Sequence, residues 1–212
     1  MAGRGKPPRL SGNIVRQRLL EVATELFARK GYAGTATREI VAAAGVTKPV
    51  LYYYFQSKEG IYLELMQRGF KQFETVLDTS SMASGNTEQR LLHLCGQVFG
   101  LIVEKIEMVR LVYSIYYGPP QEAPFFDIDA VYRKLFETVK QMVVEGIQKK
   151  ELRKGNAEDM TWAILGALHI TMENELSHPE REIGEEGLRR ILKLIFRGIS
   201  IQKGRQHRGE KT

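Results

Sequence analysis

The most constraining feature of the chain is segment 37–59, TREIVAAAGVTKPVLYYYFQSKE, in which one glycine separates two short stretches of helical character. Gly45 predicts a sharp turn there, because a residue without Cβ enters the left-handed region at little cost. Thr47 has the chemistry of a helix cap, and Pro49 is tolerated only in the first turn of a helix. The segment therefore predicts two short helices joined in a helix-turn-helix.

The second of these helices has the composition of a helix that enters a DNA major groove. Leu51 and Phe55 are spaced to point inward, toward a core. The other positions are basic, polar or aromatic, and such side chains contact phosphates and base edges. These outward positions are Lys48, Val50, Tyr52, Tyr53 and Tyr54.

The formal charge is concentrated in the same part of the chain. Residues 1–60 contain 10 Lys and Arg against 4 Asp and Glu, whereas residues 61–212 contain 21 of each. The net charge of +6 therefore belongs to the first 60 residues. A surface that binds phosphates concentrates positive charge in this way, whereas an ordinary solvated surface spreads it.

Almost every segment has apolar residues at helical spacing, so we expect an all-α protein of about nine helices. The predicted helices cover about 13–29, 37–44, 87–105, 107–117, 125–150, 157–176 and 184–202. Helix 3 follows Thr47 and includes Lys48 to Phe55, and helix 4 follows its cap Ser57 and ends before a loop at 80–86. The expected domains are a disordered basic arm (1–12), a helix-turn-helix DNA-binding domain (13–56), a larger helical effector-binding and dimerisation domain joined through helix 4 (57–202), and a basic tail (203–212). We expect the arm to add phosphate contacts or to enter a minor groove, and a solvated chain end without a role in binding is the alternative.

The composition excludes several classes of protein. Cys95 is the single cysteine, so no disulfide framework or zinc-finger ligand set can form, and a reducing compartment is expected. Its apolar helical surroundings predict a buried, unreactive thiol. No run approaches the roughly 18–20 apolar residues of a membrane span, and the basic start of the chain lacks the apolar core of a secretory signal. We expect a cytoplasmic protein.

Segment 13–66 contains a specific set of spaced residues: Leu26-Phe27, Gly31-Tyr32, Thr35, Arg38-Glu39-Ile40, Ala44-Gly45-Val46-Thr47, Leu51-Tyr52, Phe55 and Ser57-Lys58-Glu59. In these residues the chain resembles the tetracycline-repressor-like (TetR) family of bacterial transcription regulators. Ala36, Val41 and Pro49 depart from residues common in that family, and Ala36 lacks the hydroxyl that is frequent there.

The resemblance implies an all-helical homodimer in which each N-terminal unit binds one half-site of double-stranded operator DNA. It also implies that the C-terminal unit holds a small-molecule pocket and that ligand binding releases DNA. We therefore expect a transcription repressor released by a small hydrophobic effector, with a regulator that activates or lacks an effector as the alternative. The chain contains no recognisable enzyme motif, so neither catalysis nor a cofactor is expected.

The expected phosphate contacts lie at the starts of helices. Thr37 and Arg38 begin helix 2 and face the phosphate backbone, with a surface salt bridge as the alternative for Arg38. Thr47 caps helix 3, touches phosphate, or does both. Lys58 begins helix 4, where the helix dipole already favours an anion, and a free surface lysine is the alternative.

The expected base contacts lie on helix 3. Lys48 contacts guanine N7 and O6, or a phosphate without discriminating between bases. Pro49 and Val50 are expected against thymine methyl groups. Consecutive helical positions point about 100° apart, so at least one of the three tyrosines faces outward. Tyr52 and Tyr54 are expected on phosphates, and Tyr53 in a mixed role.

Apolar and aromatic residues of the C-terminal domain either line the effector pocket or form ordinary core. The candidates are Phe99, Val103, Tyr113, Tyr116, Tyr117, Phe126, Trp162, His169 and Met172. His169 and Glu173 are spaced i, i+4, but no third metal ligand is evident, so a hydrogen-bonded histidine is expected.

Helices 8 and 9 contain the residues expected at the homodimer interface. Gly166 and Ala167 permit close helix approach. The family resemblance implies that both helices pair with their mates in a four-helix bundle, and packing within one chain is the alternative. The apolar positions are Ile170, Leu188, Ile191, Leu192, Ile195 and Ile199.

Overall fold

The computed structural model of the chain describes residues 12–118, 122–181 and 183–200. Within them the regular structure is helical, apart from one isolated antiparallel bridge between Leu152 and Ser200. The helices are α1 Gly12–Lys30, α2 Thr37–Ala44, α3 Lys48–Phe55, α4 Lys58–Ser81, α5 Thr87–Glu104, α6 Ile106–Tyr116, α7 Ile128–Gln148, α8 Ala157–Ser177 and α9 Gly184–Ile199. The expected all-α class is confirmed, and no described helix is both long and apolar enough to cross a membrane.

The end of α4 and the start of α7 differ from the expected boundaries for local reasons. α4 continues through Ser81 because the Arg90 guanidinium donates to the Ser81 carbonyl oxygen at 2.8 Å and so satisfies the last turn. α7 begins at Ile128 rather than near residue 125. The Ile128 N–H donates to the Phe126 carbonyl oxygen at 2.8 Å, and this tight turn holds the preceding residues outside the helix.

α9 ends at Ile199, short of the expected end near residue 202. Ser200 has extended dihedral angles (φ −77°, ψ 146°) and pairs with Leu152, and the Ile199 carbonyl oxygen accepts the Arg153 N–H at 2.7 Å. The expected tail lies outside the described residues, as does the expected arm except for Gly12, which begins α1.

The chain divides into two compact units. The first contains the described residues up to Gln72 together with Lys105–Ile128, and its core collects side chains from α1, α2, α3, α4 and α6. α6 packs on α1 and contributes Leu111, although the expected domain boundary placed α6 in the C-terminal domain. The functional division near residue 56 stays a prediction. Fully buried core residues include Leu19, Phe27, Ile40, Leu51, Ile61 and Tyr62.

The second unit contains Phe73–Glu104 and the described residues from Asp129 onward. α5, α8 and α9 pack together in it. Cys95 lies in this core, where burial raises the pKa of its thiol to about 12, and the expected burial of the thiol is confirmed. Other buried residues of this core are Leu91, Leu94, Val98, Ile164, Leu168 and Phe196.

Candidate DNA-binding surface

The turn between α2 and α3 has the geometry that the sequence predicts. Gly45 lies in the left-handed region (φ 70°, ψ 31°), and its N–H donates to the Ala42 carbonyl oxygen at 3.1 Å. The Val46 N–H donates to the Val41 carbonyl oxygen at 2.9 Å. Both bonds satisfy carbonyl groups at the end of α2 and direct the chain into α3.

Thr47 precedes α3, but its hydroxyl makes no capping hydrogen bond to that helix among the described residues. The expectation that its side chain caps α3 is therefore wrong. Pro49 lies in the first turn, where its lack of an N–H reduces the need for a cap. The exposed Thr47 hydroxyl is left as a candidate for phosphate contact alone.

Glu39 anchors the start of α2 to α1. Its carboxylate accepts the Ala36 N–H at 2.9 Å and pairs with Lys30 in the last turn of α1. The hydrogen bond from Lys30 is the main cause that holds the pKa of the Glu39 carboxyl below its usual range. Thr37 and Arg38 therefore begin a helix whose first turn is fixed, and the Arg38 side chain is exposed.

The outward surface of the motif contains most of the expected DNA contacts. Tyr53 is 80% exposed and Tyr52 is 47% exposed. Thr37 and Val50 are half-buried. Positions 48, 49, 52 and 53 recur at helical spacing and so share one face of α3. The remaining exposed candidates are Arg38, Thr47, Lys48 and Pro49.

Tyr54 has a different environment from the one expected. It is half-buried against the core of the first unit, and its ring lies 4.9 Å from that of Tyr53. A Cβ added to Gly12 would lie 2.8 Å from the Tyr54 hydroxyl, so this hydroxyl faces the first residue of α1. Tyr52 and Tyr53 are therefore better placed than Tyr54 for phosphate contact.

Lys58 is half-buried at the start of α4. Its Nζ donates to the Tyr32 carbonyl oxygen at 2.9 Å and to the Thr35 carbonyl oxygen at 3.0 Å, and it lies 4.0 Å from the centre of the Tyr32 ring. Two of its three N–H donors are thus used within the protein. Lys58 is therefore not the free surface lysine of the alternative, and its expected contact with a phosphate stays a prediction.

The junction between α3 and α4, residues 55–60, combines the expected Ser57 cap with a backbone geometry that was not predicted from sequence. Gln56 has φ 64° and ψ −33°, and the Ser57 N–H donates to the Phe55 carbonyl oxygen at 2.7 Å, which makes a strained γ-turn. The Ser57 hydroxyl accepts the Gly60 N–H at 2.9 Å, as expected of a cap. A Cβ at Gly60 would lie 1.9 Å from the Phe55 carbonyl oxygen. The sequence signal for this close approach was Gly60 itself, because glycine is normally disfavoured within a helix.

Four of the nine effector candidates lie in the first unit. Just after α6, the Tyr117 ring lies 5.3 Å from that of Tyr113 and 4.9 Å from that of Tyr116. Phe126 packs against Phe70 with ring centres 6.1 Å apart. Tyr116 and Tyr117 are exposed, whereas Tyr113 and Phe126 are half-buried.

The other five candidates lie in the second unit. Phe99 is buried in the core, which favours the alternative of ordinary packing for this residue. Met172 is half-buried, and Val103 and His169 are exposed. Trp162 is also exposed, with its ring 5.0 Å from that of Phe136 on α7. No group of three or more His, Cys, Asp or Glu able to hold a metal occurs among the described residues.

A family model described as bacterial regulatory proteins, tetR family, matches residues 19–65, which run from α1 through the helix-turn-helix into α4. Residues 19–65 of the chain are a TetR-family region. The expected function of the chain as a DNA-binding transcription regulator is confirmed.

Similarity to known proteins extends beyond this region into both units. The chain is 25% identical over 189 residues to the HTH-type transcriptional repressor DhaR of Mycobacterium sp. (strain GP1), a match that covers 87% of the chain and 92% of DhaR. Its fold is similar to that of the TetR-family regulator PfmR from Thermus thermophilus, with a TM-score of 0.70, 22% identity and coverage of 88% and 100%. It is also similar to AibR in complex with isovaleryl coenzyme A and operator DNA, with a TM-score of 0.65, 20% identity and coverage of 86% and 97%.

Proposed function

We propose that the protein is a repressor that binds operator DNA as a homodimer and leaves it when a small hydrophobic effector binds. The exposed face of α2 and α3 supports this most, because it presents cations and tyrosines on two helices with fixed ends. DhaR is named a repressor, and AibR is seen with both an acyl-coenzyme A and operator DNA. A regulator that activates, or that has no effector, is the alternative.

Lys48 is the residue that we propose to discriminate between bases. It is exposed at the first residue of α3, where a cation can reach guanine N7 and O6 in the major groove. Lys48→Ala is expected to weaken binding to a selected operator about 5- to 150-fold, because one base contact contributes about 1–3 kcal/mol. Fluorescence anisotropy on operator and scrambled duplexes measures the difference. Equal losses on both duplexes would reduce Lys48 to a phosphate contact.

α8 and α9 are proposed to form the homodimer interface. Ile170 on α8 is 57% exposed and Leu194 on α9 is 63% exposed. A Cβ added to Gly166 or Gly198 would meet no described atom within 4 Å, so a partner helix can approach both positions closely. α8 contains four acidic and no basic residues, whereas α9 contains four basic and two acidic residues. If a two-fold axis places α8 of each protomer against α9 of its partner, the acidic helix faces the basic helix at two symmetric places in the dimer.

Leu194→Asp is expected to convert the dimer into a monomer. Burial of a leucine contributes about 1.5–3 kcal/mol, and a two-fold interface contains one Leu194 from each protomer. The dimer dissociation constant should therefore rise roughly 100-fold or more. Sedimentation velocity should give twice the 24.1 kDa of one chain for the unmodified protein and 24.1 kDa for the variant. Met82→Asp, at an apolar residue that is 83% exposed outside the proposed interface, is the matched control and should stay dimeric. A dimeric Leu194→Asp protein would exclude this interface.

Binding of an effector to the protein is expected to weaken the binding of the protein to its operator. A ligand shifts an equilibrium only by its differential affinity for the two states, so a tenfold effect needs a preference of about 1.4 kcal/mol for the DNA-free state. Trp162 is the single tryptophan, and its fluorescence can report binding near α7 and α8. Hydrophobic compounds, including acyl-coenzyme A thioesters, are titrated with and without operator. A compound that binds tightly but leaves operator affinity unchanged would contradict the coupling.

A further inference from the structure

The first turn of α4 holds two parts of the helix-turn-helix motif at once. On one side, the Lys58 ammonium binds the carbonyl oxygens of Tyr32 and Thr35 in the turn between α1 and α2. On the other side, Gly60 lies against the last residue of α3, with the Ser57 hydroxyl accepting its N–H. The first turn of α4 therefore contacts both the chain just before α2 and the end of α3, and it fixes the position of one relative to the other.

The turn between α1 and α2 is shaped to present its carbonyl groups to a cation. Thr35 is 1% exposed, and its hydroxyl donates to the Gly31 carbonyl oxygen at 2.8 Å and lies 3.2 Å from the Leu26 carbonyl oxygen. The Thr35 N–H donates to the Tyr32 carbonyl oxygen at 3.3 Å. These bonds fix the two carbonyl groups that converge on Lys58, and the Tyr32 ring adds a negative face beneath the ammonium.

The position of this turn sets the position of the DNA contacts on α2. Thr35 is followed by Ala36, the last residue before α2, and then by Thr37 and Arg38. A displacement of the Thr35 carbonyl group therefore moves the first turn of α2 relative to α3. Contacts that discriminate between bases depend on such spacing, whereas the attraction between a cation and any phosphate depends on it far less.

We propose that Lys58 is a positioning residue for sequence-specific DNA binding, which sets the spacing of α2 and α3 through the Tyr32 and Thr35 carbonyl groups instead of contacting a phosphate. The proposal rests on the DNA-binding function of the chain. It predicts that the loss of Lys58 reduces discrimination between DNA sequences, while the loss of a phosphate contact weakens binding to all sequences alike.

Lys58→Met tests this, because methionine keeps an apolar stem over the Tyr32 ring but has no N–H donor. Binding is measured over a salt series on an operator selected from a random library and on a scrambled duplex of equal composition. We expect operator affinity to fall about tenfold, the equivalent of one base contact, and scrambled-duplex affinity to fall less than about twofold. The salt slope should be unchanged on both duplexes. Arg38→Met is the comparison, because the loss of a phosphate contact should reduce the salt slope by about 1.

Lys58→Arg provides a second test that does not depend on the stability of the methionine variant. Arginine keeps the charge, but its longer, planar guanidinium can bind the two carbonyl groups only with a different geometry. A positioning role predicts weaker operator binding with unchanged binding to the scrambled duplex. Wild-type binding by Lys58→Arg on both duplexes, or equal losses with a lower salt slope for Lys58→Met, would overturn the proposal. Unchanged operator affinity of folded Lys58→Met, with a lower Tm alone, would also overturn it. If the unmodified protein itself fails to distinguish the two duplexes, the DNA-binding function fails instead.

Discussion

Gly60→Ala is expected to unfold the first unit or to displace α3 so far that operator binding is lost. A Cβ at this position would lie 1.9 Å from the Phe55 carbonyl oxygen. That atom belongs to the main chain, so rotation of a side chain cannot relieve the overlap. Either the strained γ-turn at Gln56 or the first turn of α4 must move, and both fix the end of α3.

Gly60→Ala is expected to lower the free energy of unfolding by about 4 kcal/mol or more, which is the range of the most severe core substitutions. For a chain of this size, such a cost lowers the Tm by roughly 8–16 °C. Thermal unfolding followed by circular dichroism, with operator binding below the Tm, measures both effects. Gly100→Ala is the matched control, because a Cβ there meets nothing within 4 Å and alanine favours the helix. A Gly60→Ala protein as stable as the control would show that the contact is easily relieved.

Binding to operator DNA is expected to fall roughly a thousandfold or more between 50 and 200 mM salt. The first 60 residues contain the whole net charge of +6, and two protomers bring two such surfaces to the duplex. Each neutralised phosphate releases counterions, so log K should fall with log salt with a slope magnitude of roughly 5–10.

A salt titration by fluorescence anisotropy measures this slope on operator and scrambled duplexes. The scrambled duplex should show a similar slope at lower affinity, because phosphate contacts do not depend on sequence. A slope near zero on the operator would mean that charge contributes little to binding, and the interpretation of the charge distribution would then be wrong.

The turn of the helix-turn-helix could be predicted from sequence because its determinants are local. The left-handed dihedral angles at Gly45 strongly favour glycine, and Pro49 fits only a first helical turn. The bounds of α2 and α3 agree with the prediction for this reason. Caps that depend on side-chain geometry were less predictable, since Ser57 caps α4 but Thr47 makes no such bond to the described residues of α3.

The roles of the three tyrosines could not be assigned from sequence. The helical period requires that they point in different directions, but it does not say which of them another helix covers. The position of α1 decides this, because Gly12 lies beside the Tyr54 hydroxyl and leaves Tyr53 exposed. In the same way, helical spacing predicted α6, but only the packing of Leu111 against α1 places α6 in the first unit.

The sequence by itself determined the helical class, the helix-turn-helix and the location of the positive charge, since periodicity, glycine dihedral preference and composition are properties of neighbouring residues. The tertiary structure alone decided which groups the Lys58 ammonium binds. A lysine at a helix start suggests a phosphate contact, but the carbonyl groups that its ammonium binds lie 26 and 23 residues earlier in the chain. Such contacts depend on how α1, α2 and α4 pack, and no local pattern of residues encodes which distant carbonyl groups will meet a given cation.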